Sequence, residues 1–214
     1  SYLNDSQQQI GSTQTRFFTP TDTIDLVENT HNNLFTNTLQ SKFILERNTN
    51  DNYLKNELEV NGYWDSRRGN ILTQNATIQQ RLSNPFSVIR NQLRMLKPVG
   101  KQLVTFRSNT GYTEANQSLS VSPGQFTQLL NQGEPYVETQ QIITSSTFFT
   151  DNSAGFTKGI KDFSIAPEIG FSFRKQQLSS SLGVTDDGET AFPNGDFRNN
   201  LNFLSSRYYF TSRF

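Results

Sequence analysis

Cysteine is absent, and histidine, methionine and tryptophan occur once each. Without thiols there is neither a disulfide framework nor a thiolate metal site. The single histidine, His31, lies in a polar, loop-like stretch and reads as solvent-exposed. It rules against a multi-histidine metal centre and a Ser-His-Asp triad. Charge of one sign is missing too: 19 basic and 19 acidic residues cancel. With no long basic run, a nucleic-acid partner is not expected. No apolar run approaches the ~20 residues of a membrane helix, although a β-barrel crosses with shorter, alternating strands. Only 33% of the chain is hydrophobic, whereas a globular α/β enzyme carries more Ala, Val and Leu. No nucleophile or acid–base constellation emerges. The chain is therefore not expected to be an enzyme, no catalytic, metal or cofactor-binding residue is assigned, no cofactor is expected, and ligand-binding residues stay unassigned. There is no signal peptide and Ser1 is not a natural start, so an export signal has been removed or the chain is a piece of something longer.

What is present is phenylalanine, 18 residues of it, arranged with a period of two. In Lys158–Lys175 every second residue from Phe163 to Phe173 is apolar: Phe163, Ile165, Pro167, Ile169, Phe171 and Phe173. Ser164, Ala166, Glu168, Gly170, Ser172 and Arg174 alternate with them, as in a strand with one apolar face. The pattern recurs. Phe35, Leu39, Phe43 and Leu45 share a parity within 34–47; Leu54, Leu58, Val60 and Trp64 share one in the next segment. Ile89, Leu93 and Met95 do so within Phe86–Leu96, and Val104, Phe106 and Tyr112 within Leu103–Tyr112. Ile142, Phe148, Ala154 and Phe156 mark a fifth strand; Tyr208, Phe210 and Phe214 mark the last, within 201–214. About seven main strands result. One short helix is expected at Gln125–Asn131, between Pro123-Gly124 and Gly133.

The connections alternate in length. Turns of about five residues are expected at Asn48–Asn52, Lys97–Lys101 and Lys158–Asp162, and long polar loops near 1–33, 65–85, 113–140 and 176–200. Short turns at one end and long loops at the other are a habit of transmembrane β-barrels, not of soluble sandwiches. The fold expected over residues 1–214 is thus all-β: an antiparallel, up-and-down transmembrane β-barrel in the cell outer membrane. Seven strands do not close a barrel of even strand number, so a barrel segment is expected.

Four stretches carry a family resemblance: ERNTNDNYLKNELEVNGYWDSRRGNI (Glu46–Ile71), LSNPFSVIRNQLRMLKPVGKQLVTFRS (Leu82–Ser108), QSLSVSPGQFTQLLNQG (Gln117–Gly133) and FTKGIKDFSIAPEIGFSFRKQ (Phe156–Gln176). Together they resemble the barrel portion of TonB-dependent receptors of Bacteroidetes, the outer membrane β-barrel protein family. The resemblance implies an outer-membrane receptor that captures and imports a ligand. Its partners would be outer-membrane lipid, TonB through an N-terminal region of the parent protein, and in some cases a surface lipoprotein. No plug domain or TonB box is visible in this stretch. The alternatives are a non-transport outer-membrane barrel (a structural or assembly component, or an adhesin) and a soluble β-sandwich that binds glycans.

Some residues admit two readings. Arg90, Arg94 and Arg174 sit on polar parities; they could hold an anionic ligand in the lumen, or pair with Glu57, Glu59 and Glu168 to stiffen the wall. Asp186-Asp187-Gly188-Glu189 offers oxygens for Ca²⁺ but lacks the spacing of a calcium loop, so a plain acidic turn is expected. Tyr53, Tyr63, Trp64, Tyr112, Tyr208 and Tyr209 lie near strand ends, where they would form interfacial girdles.

Overall fold

The computed structural model describes residues 1–18, 23–49, 51–73, 76–161, 163–186, 189–191 and 198–213. One antiparallel sheet takes up nearly all of them. Its strands are β1 (Tyr2–Phe18), β2 (Thr23–Thr49), β3 (Asn52–Leu72), β4 (Thr77–Val99), β5 (Gln102–Ser122), β6 (Glu138–Ile160), β7 (Phe163–Asp186), β8 (Glu189–Ala191) and β9 (Arg198–Arg213). Each strand from β1 to β7 pairs with the next. β8 pairs with Val184–Asp186 and β9 with Ala166–Ser181, so the two share the free side of β7. Among the described residues β1 and β9 each pair on one side only, and the sheet is open.

Among the described residues every parity set named above falls on one face. Register carries it across the ladder: Phe43 lies opposite Leu58, Val60 opposite Ile89, Ile89 opposite Tyr112, Tyr112 opposite Phe148, Ala154 opposite Ile169, and Ile169 opposite Phe210. Cross-strand partners share a face, and the side-chain period is two. A bulge would move the residues beyond it to the other face. In each pair of strands the described partners keep one register from end to end, so the faces stay constant.

The strands are longer than expected. β2 has 27 residues, β7 has 24 and β4 and β6 have 23 each. They run through most of what reads as loop in the sequence. Residues 2–18 and 23–33 are strand, as are 65–72 and 77–85, 113–122 and 138–140, and 176–186 and 198–200. The long loops expected near 1–33, 65–85, 113–140 and 176–200 are thereby corrected among the described residues, except over 123–137, and the seven strands become eight long ones plus β8 there. These stretches are rich in Asn, Gln, Ser and Thr, and the apolar residues they do carry, such as Leu119 and Val121 or Leu178, Leu182 and Val184, take the opposite parity, so the period-two pattern breaks where the strand does not. The backbone ladder continues regardless, because it needs only N–H and C=O groups. His31, expected in a loop, sits on β2 opposite Ile10 and Asn70, and is exposed as expected.

The turns at one end are tighter than five residues. Val99 pairs with Gln102, leaving Gly100 and Lys101 to reverse the chain. Gly100 has φ +61°, the left-handed conformation that such hairpins require and glycine adopts without steric cost. Ile160 pairs with Phe163, with Lys161 at φ +52°. At the opposite end Thr73 and Ala76 close a short turn through the bond from Thr73 N to Ala76 O, 2.9 Å. Only 123–137 is a long connection among the described residues. It contains α1 (Thr127–Leu130), inside the expected Gln125–Asn131. Asn50, Asp162 and Asp187-Gly188, within the expected turns, lie outside the described residues, as do 19–22, 74–75, 192–197 and 214.

The molecule has almost no conventional core. Among the described residues, the buried hydrophobic side chains are Leu130, Tyr136 and Val184. Accessible surface is 14924 Å², against about 10,000 Å² expected of a globular chain of this mass. A single-layer sheet buries neither face within itself, whereas a two-layer sandwich packs the inner faces of its sheets together.

Candidate functional site

The two faces exchange character along the height of the sheet. In the half next to the tight turns one face is apolar. It presents Leu54, Leu58, Val60, Ile89, Leu93, Met95, Phe106, Tyr112, Phe148, Phe156, Ile169, Phe171 and Phe173. Phe43, Ile169, Tyr208 and Phe210 are exposed there. Inside this belt the Thr110 and Thr150 Oγ1 atoms are 2.7 Å apart and Asn152 Nδ2 donates to Thr150 Oγ1 at 2.8 Å, while the buried Oδ1 atoms of Asn56 and Asn91 have no hydrogen-bond partner among the described residues. Towards the far end the same face turns polar, with Glu114, Asn116, Ser118 and Ser120 on β5 and Gln177, Ser179 and Ser181 on β7.

The opposite face does the reverse. Far from the tight turns it presents Leu34, Leu82, Leu119 and Leu182 in one row, with Val121 and Val184 beyond them. The 123–137 connection folds onto this face. Leu130 and Tyr136 pack against Val184 and Leu182. The Tyr136 hydroxyl donates to the Gln125 carbonyl and lies 2.9 Å from Thr139 Oγ1, which accepts from Gln125 N at 2.9 Å. This anchored connection was legible in sequence only as a helix between turn residues. Tyr136, which fixes it, gave no periodic signal.

Near the tight turns that face is charged. Lys42 Nζ lies 2.5 Å from Glu57 and 3.6 Å from Glu59, and Lys55 lies 3.9 Å from Glu57. Arg107 lies 3.5 Å from Glu168, and Arg90 Nε donates to Asn109 Oδ1 at 3.0 Å. Tyr209 donates to Asp151 at 3.2 Å. A hollow of about 530 Å³ opens between these side chains. Two aromatic rings fill the gaps left by glycines here: Tyr209 lies over Gly170 and Phe149 over Gly111, their direct cross-strand partners.

The structure places the expected arginines Arg90, Arg94 and Arg174 together on this face, but not on the expected acids. Lys42 takes Glu57 and Glu59, and Arg107 takes Glu168. The expected aromatic girdle is divided. Trp64, Tyr112 and Tyr208 are on the apolar face, whereas Tyr53, Tyr63 and Tyr209 are on the other. Asp186 and Glu189 are cross-strand partners where β7 meets β8; Asp187 and Gly188 lie outside the described residues. Among the described residues no group of three or more His, Asp or Glu side chains is placed to hold a metal ion. No helix among them is long and apolar enough to cross a membrane, which says nothing of a β-barrel.

Compared with known proteins, the chain matches no family model and no curated sequence, so what it can be said to be is an open, all-β, antiparallel up-and-down sheet with two faces of opposite and height-dependent polarity.

Proposed function

We propose that this chain forms part of the wall of an outer-membrane β-barrel of the TonB-dependent receptor kind, which captures a ligand at its outer end and imports it through its lumen. The observation that carries the reading is the apolar belt concentrated in the tight-turn half of the sheet. At ~3.3 Å per residue the 24 residues of β7 extend about 80 Å. Crossing a membrane at ~45° takes only about 9–11 residues. Val104–Tyr112, Phe148–Phe156 and Phe163–Phe173 fit that length. The rest of each strand would stand in water beyond the bilayer, where a polar outward face and a partly apolar inward face are the stable arrangement. The tight turns then face the periplasm, as the short turns of such barrels do.

In this reading lipid covers the apolar belt and the charged face lines the lumen. The connection 123–137, held against the inward face by Leu130 and Tyr136, narrows the outer mouth. Energy coupling would come from TonB acting on a plug elsewhere in the parent protein.

The absence of cysteine makes the test direct, since single Cys substitutions can be spin-labelled without background. Labels at Ile89 and Ile169 should be relaxed by lipid-dissolved oxygen in vesicles, and labels at Glu168 and Ser118 by an aqueous nickel complex. Aqueous relaxation at all four positions would end the membrane reading. Loss of ligand uptake by the parent protein in cells lacking TonB would then separate a receptor from a non-transport barrel.

A further inference from the structure

Three cations stand in direct opposition on the charged face. Lys55 of β3 is the partner of Arg94 of β4, and Arg94 is the partner of Arg107 of β5. Side chains so paired have Cβ atoms about 4.5–5.5 Å apart, and like charges placed this way destabilise a sheet. Carboxylates attend the two outer members. Glu57 reaches Lys55 at 3.9 Å while lying nearer Lys42, and Glu168 reaches Arg107 at 3.5 Å. Glu46 is the register partner of Lys55 on the other side but forms no ion pair with it among the described residues. Arg94, between two cations, is exposed and has neither an ion pair nor a hydrogen bond among the described residues. All three cations line the 530 Å³ hollow, together with Gln92, Asn109 and Ser153. That volume lies in the range of small-molecule sites.

We infer that Lys55, Arg94 and Arg107 form a subsite for a carboxylate or phosphate group of a small organic anion. The inference rests on the reading of this face as a lumen wall. An oxyanion placed there would neutralise the opposed charges, and the Arg94 guanidinium would be free to bind it through two parallel N–H bonds. Glu57 of β3, which also lines the hollow, is engaged by Lys42 and Lys55, and the acids Asp151 and Glu168 on the far side disfavour an anion there.

The test uses the full chain in detergent micelles at low ionic strength, with citrate and inorganic phosphate as probes and calorimetric titration as readout. At least one probe should bind to the unaltered chain, and Arg94→Gln should weaken it tenfold or more. Arg174→Gln, on the same face but outside the cationic row, should change affinity less than twofold. Thermal unfolding supplies a readout independent of binding. Without an anion, Arg94→Gln should unfold at the same temperature as the unaltered chain or higher, because it relieves repulsion; with the anion, only the unaltered chain should gain stability. Binding of citrate alone would assign the site to carboxylates, and of phosphate alone to phosphates. Three results would overturn the inference: no binding of either probe, equal loss in Arg94→Gln and Arg174→Gln, or a lowered unfolding temperature of anion-free Arg94→Gln. Failure here with lipid exposure of Ile169 intact would remove the subsite and leave the barrel reading standing.

Discussion

Ile169→Arg puts the facing of the sheet to its sharpest test. Ile169 lies within the apolar run Phe163–Phe173, with Ala154 and Phe210 as its register partners, and is 62% exposed. The consequence of the change depends wholly on what touches that surface. In water, a substitution at so exposed a position is worth within about ±0.5 kcal/mol. In lipid, an arginine near the bilayer midplane of a β-barrel costs about 2–4 kcal/mol. That is about a 30- to 1000-fold drop in the folded-to-unfolded ratio. Glu168→Gln on the neighbouring residue is the control. It removes one ion pair to Arg107 at 3.5 Å, with the two side chains 27% and 51% exposed. Such a pair is worth at most about 1 kcal/mol. Equilibrium urea unfolding in lipid vesicles would measure both, and outer-membrane assembly in cells would follow the same order. Equal tolerance of the two changes would refute the assignment of faces.

Two further outcomes follow from contacts outside the apolar belt. Tyr136→Phe removes the hydroxyl that joins Gln125 to Thr139; a loss of about 1 kcal/mol should raise amide exchange in 123–137 about fivefold while that of β3 and β4 stays unchanged. Unchanged exchange in 123–137 would show that this hydroxyl does not hold the connection in place. The second concerns acid. Arg16 Nε lies 2.6 Å from its register partner Asp25, and its hydrogen bond holds the Asp25 carboxyl below the ordinary carboxylate range. Asp25 therefore contributes its full stabilisation above the unfolded value of about 3.9, and loses it as the pH falls through the lower folded value. Amide exchange at the Arg16 end of β1 should rise over that acid range in the unaltered chain and not in Asp25→Asn; the same acid response in both would disprove the linkage.

Residue pattern alone was enough for the strand class, for the shared face of the in-phase apolar residues near the tight turns, and for the position of the three tight turns at that end. Phe163–Phe173, Val104–Tyr112 and Phe148–Phe156 alternate because one face is apolar, and alternation is what a period-two reading detects. Where that contrast vanishes, as in Asn29–Asn33, or switches parity, as at Leu119 and Val121, the reading predicts loop, although the ladder continues. Tertiary structure decided three things that no local pattern encodes. Register brought Lys55, Arg94 and Arg107 into one row from three strands. It also placed Lys42 on the acids that the sequence offered to the arginines, since which cation reaches a carboxylate depends on diagonal neighbours across the sheet. The packing of Leu130 and Tyr136 on Val184 joined residues about fifty positions apart in the chain, a proximity created by the pairing of β6 with β7 and invisible to any window along the sequence.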